Sequence, residues 1–196
     1  MLTTVRWHRD VAAATYLEIE FDQQPWEEHA ARYGEEHQLL LGPLMPLLAY
    51  RLVTIATEMP KINATIVGGR RYQFDEVNLG FTVQSGDTLY LTVIHGADKL
   101  DTSDFIEKLG EIQRRAIAKK PKPEDVQGAT VAFSSMARWN VSRHVPILPP
   151  FTSLIVAHAA PRDSGLAVMG ATYDHRILSG FDVIQVLQRL TQVPKR

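Results

Sequence analysis

One stretch near the C-terminus constrains this chain more than any other. Gly165 to Thr172 is an apolar run that reads as a buried strand. Tyr173-Asp174-His175-Arg176 follows, and Ser179-Gly180 then opens an apolar helix from Phe181 to about Leu190. The stretch pins one histidine between a strand end and a helix start. That is a good position for a general base, because an imidazole titrates near neutral pH and is held here by two rigid elements.

Upstream the pattern alternates between strands and helices. Thr15 to Phe21 alternates as a half-buried strand. Pro25 opens a short helix to about Tyr33, with Gly34 ending it and Glu35 to Gln38 as polar linker. The spacing predicts a nearly all-apolar core helix over 44–58, with Pro60 as its stop. Ile62–Val67 and Arg70–Phe74 read as a hairpin across Gly68-Gly69. Val77–Val83 and Leu89–Ile94 read as strands joined by Gln84-Ser85-Gly86-Asp87. Thr102 or Ser103 is expected to cap an amphipathic helix reaching about Ala118. Strands follow at Ala129–Phe133, ending at Ser134-Ser135, and at Phe151–Ala159, with an irregular stretch from Arg138 to Pro150 between them. Residues 1–12 give no clear reading, and Gln192 to Arg196 is a short polar tail. The order implies an α+β two-layer sandwich, helices on a mixed sheet, as a single domain over 1–196.

Composition narrows the function classes. The 196 residues carry a net charge of -1, which argues against nucleic acid and against a polybasic membrane contact. With no cysteine, thiolate nucleophiles and Cys-ligated metals are excluded. No apolar run reaches the roughly 18 residues of a bilayer span. No secretory cleavage pattern opens the chain, so the expected compartment is the cytoplasm. His29 and His37 lie among glutamates, but without His-Glu-x-x-His spacing they read as a solvated acidic face, and no metal is expected.

Several motifs, in fixed order from about Thr15 to Leu190, carry a resemblance. Met59-Pro60-Lys61-Ile62-Asn63-Ala64 is similar to a Phe-Pro-x-(Phe/Leu)-Asn-Ala signature. Val77 to Val83 is similar to Val-Asn-Ile-Gly-x-Ala-Val, and Phe133-Ser134-Ser135-Met136-Ala137 to Ile-Ser-Asn-Leu-Gly or Ile-Ser-Ser-Leu-Gly. Pro146 to Pro150 is similar to Pro-Ile-Ile-Asn-Pro-Pro with one residue missing, and Tyr173-Asp174-His175-Arg176 matches Tyr/Phe-Asp-His-Arg. Together they resemble the catalytic domain of the 2-oxo acid dehydrogenase acyltransferases, which shares its fold with chloramphenicol acetyltransferase.

The resemblance implies roles. His175 would take the proton of an acceptor thiol or hydroxyl, which then attacks a thioester carbonyl. Ser134 would donate to the oxyanion, with Ser135 as the fallback. The family's His-x-x-x-Asp-Gly reads His175-x-x-x-Ser179-Gly180 here. Ser179 keeps a helix cap through Ser179-Gly180-Phe181-Asp182, while the ion-pair brace of the family aspartate is expected to be lost. Arg138, Trp139 and His144 are substrate-pocket candidates, with trimer packing as the other reading for Trp139. His95 and His158 lie on or beside buried strands without an assigned role.

By the same resemblance the chain would be a homotrimer with active sites between subunits, so His175 would meet Ser134 of a neighbour. The N-terminal helix looks shortened, no lipoyl or subunit-binding domain precedes the domain, and the polar tail implies a free trimer. The expected reading is a stand-alone acyltransferase with no permanently bound cofactor. Its acyl donor would be a CoA or phosphopantetheine thioester, the latter on an acyl carrier protein. Its acceptor would be a small-molecule hydroxyl or thiol, as in polyketide or tetronate biosynthesis. The alternatives are the catalytic core of a 2-oxo acid dehydrogenase complex, with its lipoyl domain on another chain, and a silent trimeric scaffold.

Overall fold

The computed structural model of the chain describes residues 2–194; of the expected tail, Lys195 and Arg196 lie outside the described residues. The strands among them are β1 (Ala14–Phe21), β2 (Ala64–Val67), β3 (Arg70–Gln73), β4 (Leu79–Ser85), β5 (Thr88–Ile94), β6 (Val131–Ser135), β7 (Leu154–Ala159) and β8 (Ala167–Asp174). Six of them form one mixed sheet in the order β1-β8-β7-β6-β4-β5, and β2 and β3 make a separate hairpin. β6 is parallel to both its neighbours, β4 and β7, and the remaining pairs are antiparallel.

The helices are α1 (Leu2–Arg6), α2 (Gln24–Glu36), α3 (Leu44–Glu58), α4 (Thr102–Ile117) and α5 (Gly180–Leu190). α1 continues into a wide π turn, Trp7–Val11. α3 tolerates Pro46 because first-turn N–H groups have no partner within the helix. It ends at Glu58, and Met59 leaves the helical conformation (φ -124°, ψ 72°) before Pro60, which disfavours that conformation in its predecessor. α2, α3, α4 and α5 bury their apolar stripes on one face of the sheet, against Val131, Phe133, Leu154, Val156, Met169 and Tyr173. This is the two-layer α+β arrangement implied by the order of elements.

Local boundaries differ from the expectations for identifiable reasons. α2 runs through Gly34 and closes at Gln38, which adopts the left-handed conformation (φ 53°) in place of the glycine. Trp26 and Ala30, buried on that helix, outweigh the roughly 1 kcal/mol helix cost of a glycine. Asp101, not Thr102 or Ser103, caps α4 by accepting from the Asp104 N–H at 2.8 Å. All three residue types cap well, and the burial of Phe105 selects the phase. β4 extends through Ser85, so the turn shrinks to Gly86-Asp87, with Gly86 at φ 58°. β7 starts at Leu154 because Phe151 is left-handed (φ 64°) and Thr152 turns back to the Pro149 carbonyl.

The second sheet face carries none of the four long helices α2–α5. Residues 136–153, which join the parallel strands β6 and β7, cross this face, and Leu148 seals onto Ala132 and Ile155. The N-terminal turns hold the crossing segment: Trp7 packs on Phe151 with ring centroids 4.6 Å apart, and the Leu148 N–H donates to His8 Nδ1. At the far end of α4, Arg115 makes a two-pronged ion pair with buried Asp125 at 2.6 and 2.7 Å, tying the helix end to the segment 119–125 that follows.

Gly170 on β8 is required by a close approach. A Cβ there would lie 2.2 Å from the Tyr16 hydroxyl and 2.7 Å from the ring carbon bearing it. Tyr16 cannot simply swing away, because its hydroxyl donates to Glu18 at 2.8 Å, and Glu18 is itself tied to Arg162 and Arg143. Gly170→Ala is therefore expected to lower stability by about 1–3 kcal/mol, seen as a lower urea midpoint with unchanged slope.

Candidate active site

His175 stands on the turn between β8 and α5, exposed, with its ring tilted against Tyr173 at 5.5 Å. Its imidazole makes no hydrogen bond among the described residues, while its backbone N–H donates to the Ala13 carbonyl at 2.9 Å. The turn is thus fixed through its main chain, and the ring is left available. Buried Asp174 anchors the strand side. It accepts from the Ala13 N–H, the Arg176 N–H and the Arg176 guanidinium. Burial pushes the Asp174 carboxyl up, but these donors outweigh burial and hold it below its ordinary range.

The helix side keeps the expected cap and adds a contact. Ser179 caps α5, accepting from the Asp182 N–H at 3.2 Å. Ser179 itself makes no ion pair, but a charged group three residues on binds it. Asp182 accepts from the Ser179 N–H and hydroxyl, each at 2.7 Å, and pairs with Lys61 at 2.6 Å. Burial raises the Asp182 carboxyl, and Lys61 and Ser179 more than reverse this, holding it at about 2. Such a group stabilises the fold above its unfolded value of about 3.9, and that contribution fades as pH falls toward 2. Acid unfolding of Asp182→Asn, followed by circular dichroism, is expected to be less steep than wild type between about pH 4 and 2.

Ser134, on β6, faces the side away from α2–α5, where a cleft of about 1580 Å³ opens. Its walls include Thr82, Leu91, Met136, His144, Phe151 and Ile155. The Thr82 hydroxyl donates to Ser134 Oγ at 3.0 Å. The proton of Ser134 is then free for a ligand, as an oxyanion donor requires. Thr82 was not singled out from the sequence. Its only signal was its place on a strand face two residues from Gly80.

Ser135 points to the opposite face, as strand alternation demands. It meets buried His158 at 3.0 Å from Nδ1, while His158 Nε2 lies 2.5 Å from the Gln23 amide oxygen. Nε2 therefore carries the proton and Nδ1 accepts from Ser135. Burial, helped by nearby His144, pushes His158 down to about 4, so it is neutral at working pH and acts as a pin for the end of β6. Neither Ser135 nor His158 lines the cleft. His95 is likewise outside it, exposed and bonded to the Glu124 carbonyl at 2.9 Å.

Of the three pocket candidates, His144 lines the cleft and Arg138 and Trp139 do not. Arg138 lies 5.1 Å over the Trp139 ring, and both are exposed. Both nitrogens of the His144 ring are buried without a partner among the described residues, and burial lowers its pKa. A neutral imidazole offers one donor and one acceptor to whatever fills the cleft. His37 donates to the Tyr33 carbonyl and His29 packs on Trp26. Among the described residues no cluster of three acidic or imidazole side chains is arranged to hold a metal ion. No helix among them is long and apolar enough to cross a membrane.

Ser134 and His175 do not meet within one chain. Ser134 is level with Ala157, and Ala157 with Gly170, two strands away. His175 lies five residues beyond Gly170. At about 3.3 Å per residue and about 4.8 Å per strand, the two backbones are on the order of 19 Å apart. A site that uses both side chains needs two copies of the chain.

Solved structures share this architecture. The dihydrolipoamide acetyltransferase of Azotobacter vinelandii superposes with a TM-score of 0.87 at 19% identity, covering 97% of this chain and 84% of that one. A chloramphenicol acetyltransferase superposes with a TM-score of 0.54 at 13% identity, covering 96% and 92%. The class is thus the chloramphenicol acetyltransferase-like fold. In sequence, the model of the 2-oxoacid dehydrogenases acyltransferase (catalytic domain) matches residues 12–193, and the chain belongs to that family. A similar curated protein is the chloroplastic dihydrolipoyllysine-residue acetyltransferase component 5 of the pyruvate dehydrogenase complex of Arabidopsis thaliana. It is 28% identical over 160 residues, which cover 75% of this chain and 34% of the relative. The chain therefore spans about a third of that protein's length.

Proposed function

We propose that this domain moves an acyl group between coenzyme A and the thiol of a lipoyl group, as the catalytic core of a 2-oxo acid dehydrogenase type of complex. The observation that carries the reading is the family match across residues 12–193, with His175 on the exposed turn and Ser134 in the cleft. The Arabidopsis relative is itself a component of such a complex, which favours this reading over stand-alone acylation of a hydroxyl from a carrier protein.

His175 removes the proton of the attacking thiol, and the thiolate adds to the thioester carbonyl. The carbonyl oxygen takes the negative charge and receives the Ser134 hydroxyl proton as a hydrogen bond. Collapse expels the other thiolate, which recovers the proton from the His175 imidazolium. Because one chain keeps these residues on the order of 19 Å apart, the pair forms across a subunit contact, and a homotrimer with three shared sites is the proposed assembly.

The test is direct. The purified chain is offered acetyl-CoA or succinyl-CoA with dihydrolipoamide, and thioester formation is followed by absorbance. Turnover that disappears in His175→Ala is the expected result. Turnover confined to hydroxyl acceptors would return the stand-alone reading, and none with any acceptor would leave a silent scaffold.

A further inference from the structure

We propose that Lys61 and Asp182 are the positioning residues for His175, and that Asp182 supplies, three positions further along, the carboxylate missing at Ser179. The inference rests on His175 being the base. Its grounds are the contacts around the turn that carries this histidine.

Lys61 lies in the turn Pro60–Ile62, and this turn reaches both ends of the His175 segment. On the helix side, Lys61 Nζ pairs with Asp182, whose carboxylate also accepts the Ser179 N–H and hydroxyl. On the strand side, the Ile62 carbonyl accepts the Ser153 hydroxyl, and the Ser153 carbonyl accepts the Asp174 N–H at 2.9 Å. The turn is itself held by Asn63, whose Nδ2 donates to the Phe74 and Glu76 carbonyls. One short turn thus ties down the residues flanking His175, and Lys61 is its only charged side chain.

Helix capping alone does not explain the lysine. Ser179 and Asp182 complete a reciprocal cap without it. The Lys61 side chain is 43% exposed, and a pair this open adds little to stability. What the lysine adds is direction: it fixes where the Asp182 carboxylate sits over Ser179, and through Ser179 the path of the chain leaving His175. A small displacement of a reacting group costs far more in rate than in stability.

The experiment compares variants in the acyl-CoA and dihydrolipoamide assay, with melting temperature measured alongside. Lys61→Met is expected to lower kcat about ten- to a hundredfold with KM changed less than about twofold and a melting temperature within a few degrees of wild type. Lys61→Arg is expected to recover most of the loss. Ser179→Asp alone is expected to lower kcat, because two carboxylates then compete for one lysine. The exchange Ser179→Asp with Asp182→Ser, which leaves a single carboxylate, is expected to exceed Ser179→Asp alone. The proposal is overturned if Lys61→Met keeps kcat within about twofold while His175→Ala is inactive. If Lys61→Met does not fold, the exchange decides: a kcat no higher than that of Ser179→Asp alone overturns it. Full activity of His175→Ala would instead remove the reading of His175 as base, a separate result.

Discussion

Exchanging His175 for alanine is expected to lower acyl transfer by about 10²–10⁴ while leaving the fold intact. The two halves of this expectation have different origins. The loss in rate is that of a general base whose proton must otherwise pass to water. The preserved fold follows from the exposed ring, which makes no hydrogen bond among the described residues. What holds the turn is main chain and carboxylate: the His175 N–H on Ala13, Asp174 on the strand side, and Asp182 on the helix side. Steady-state kinetics beside a thermal melt would check it. An unchanged kcat would remove His175 from the mechanism, and a large fall in melting temperature would assign it a structural role.

Ser134→Ala is expected to cost about 10²–10³ in kcat, with KM little changed, because the lost hydrogen bond forms with charge that develops only in the transition state. Ser134 is buried, but removing one hydroxyl leaves only the Thr82 hydroxyl without its acceptor, and Thr82 borders the open cleft. The more informative experiment mixes two inactive variants. With Ser134 and His175 drawn from different copies, a trimer reassembled from equal amounts of Ser134→Ala and His175→Ala chains contains some interfaces with both wild-type residues. Random assembly gives about a quarter of the sites, so about a quarter of wild-type activity is expected on co-refolding. No recovery would mean that the two residues act within one copy, which conflicts with the strand register.

Much of the architecture is legible in the sequence because it rests on local chemistry. The helix over 44–58 is set by an apolar run with prolines where helices accept or end them. The β2–β3 hairpin follows from Gly68-Gly69, and the α5 start from a serine three residues before an aspartate. The cap of α4 is less legible, since Asp101, Thr102 and Ser103 are all good caps and only burial of Phe105 sets the phase. The choice between Ser134 and Ser135 also needs the sheet. Adjacent strand residues face opposite ways, and only the packing shows which face is the cleft.

What the sequence determined by itself is the set of elements, the family motifs, and His175 between a strand and a helix. These depend on neighbours along the chain. What the tertiary structure decided depends on residues far apart in sequence. It turned Ser134 into the cleft and tied Ser135 to a neutral histidine. It left Arg138 and Trp139 outside the cleft. It also brought Lys61 to Asp182 across 121 positions, supplying a charged tie where the motif itself offers only a serine. The physical reason is that a hydrogen bond or ion pair is selected by distance in space, and folding alone brings such distant residues within reach.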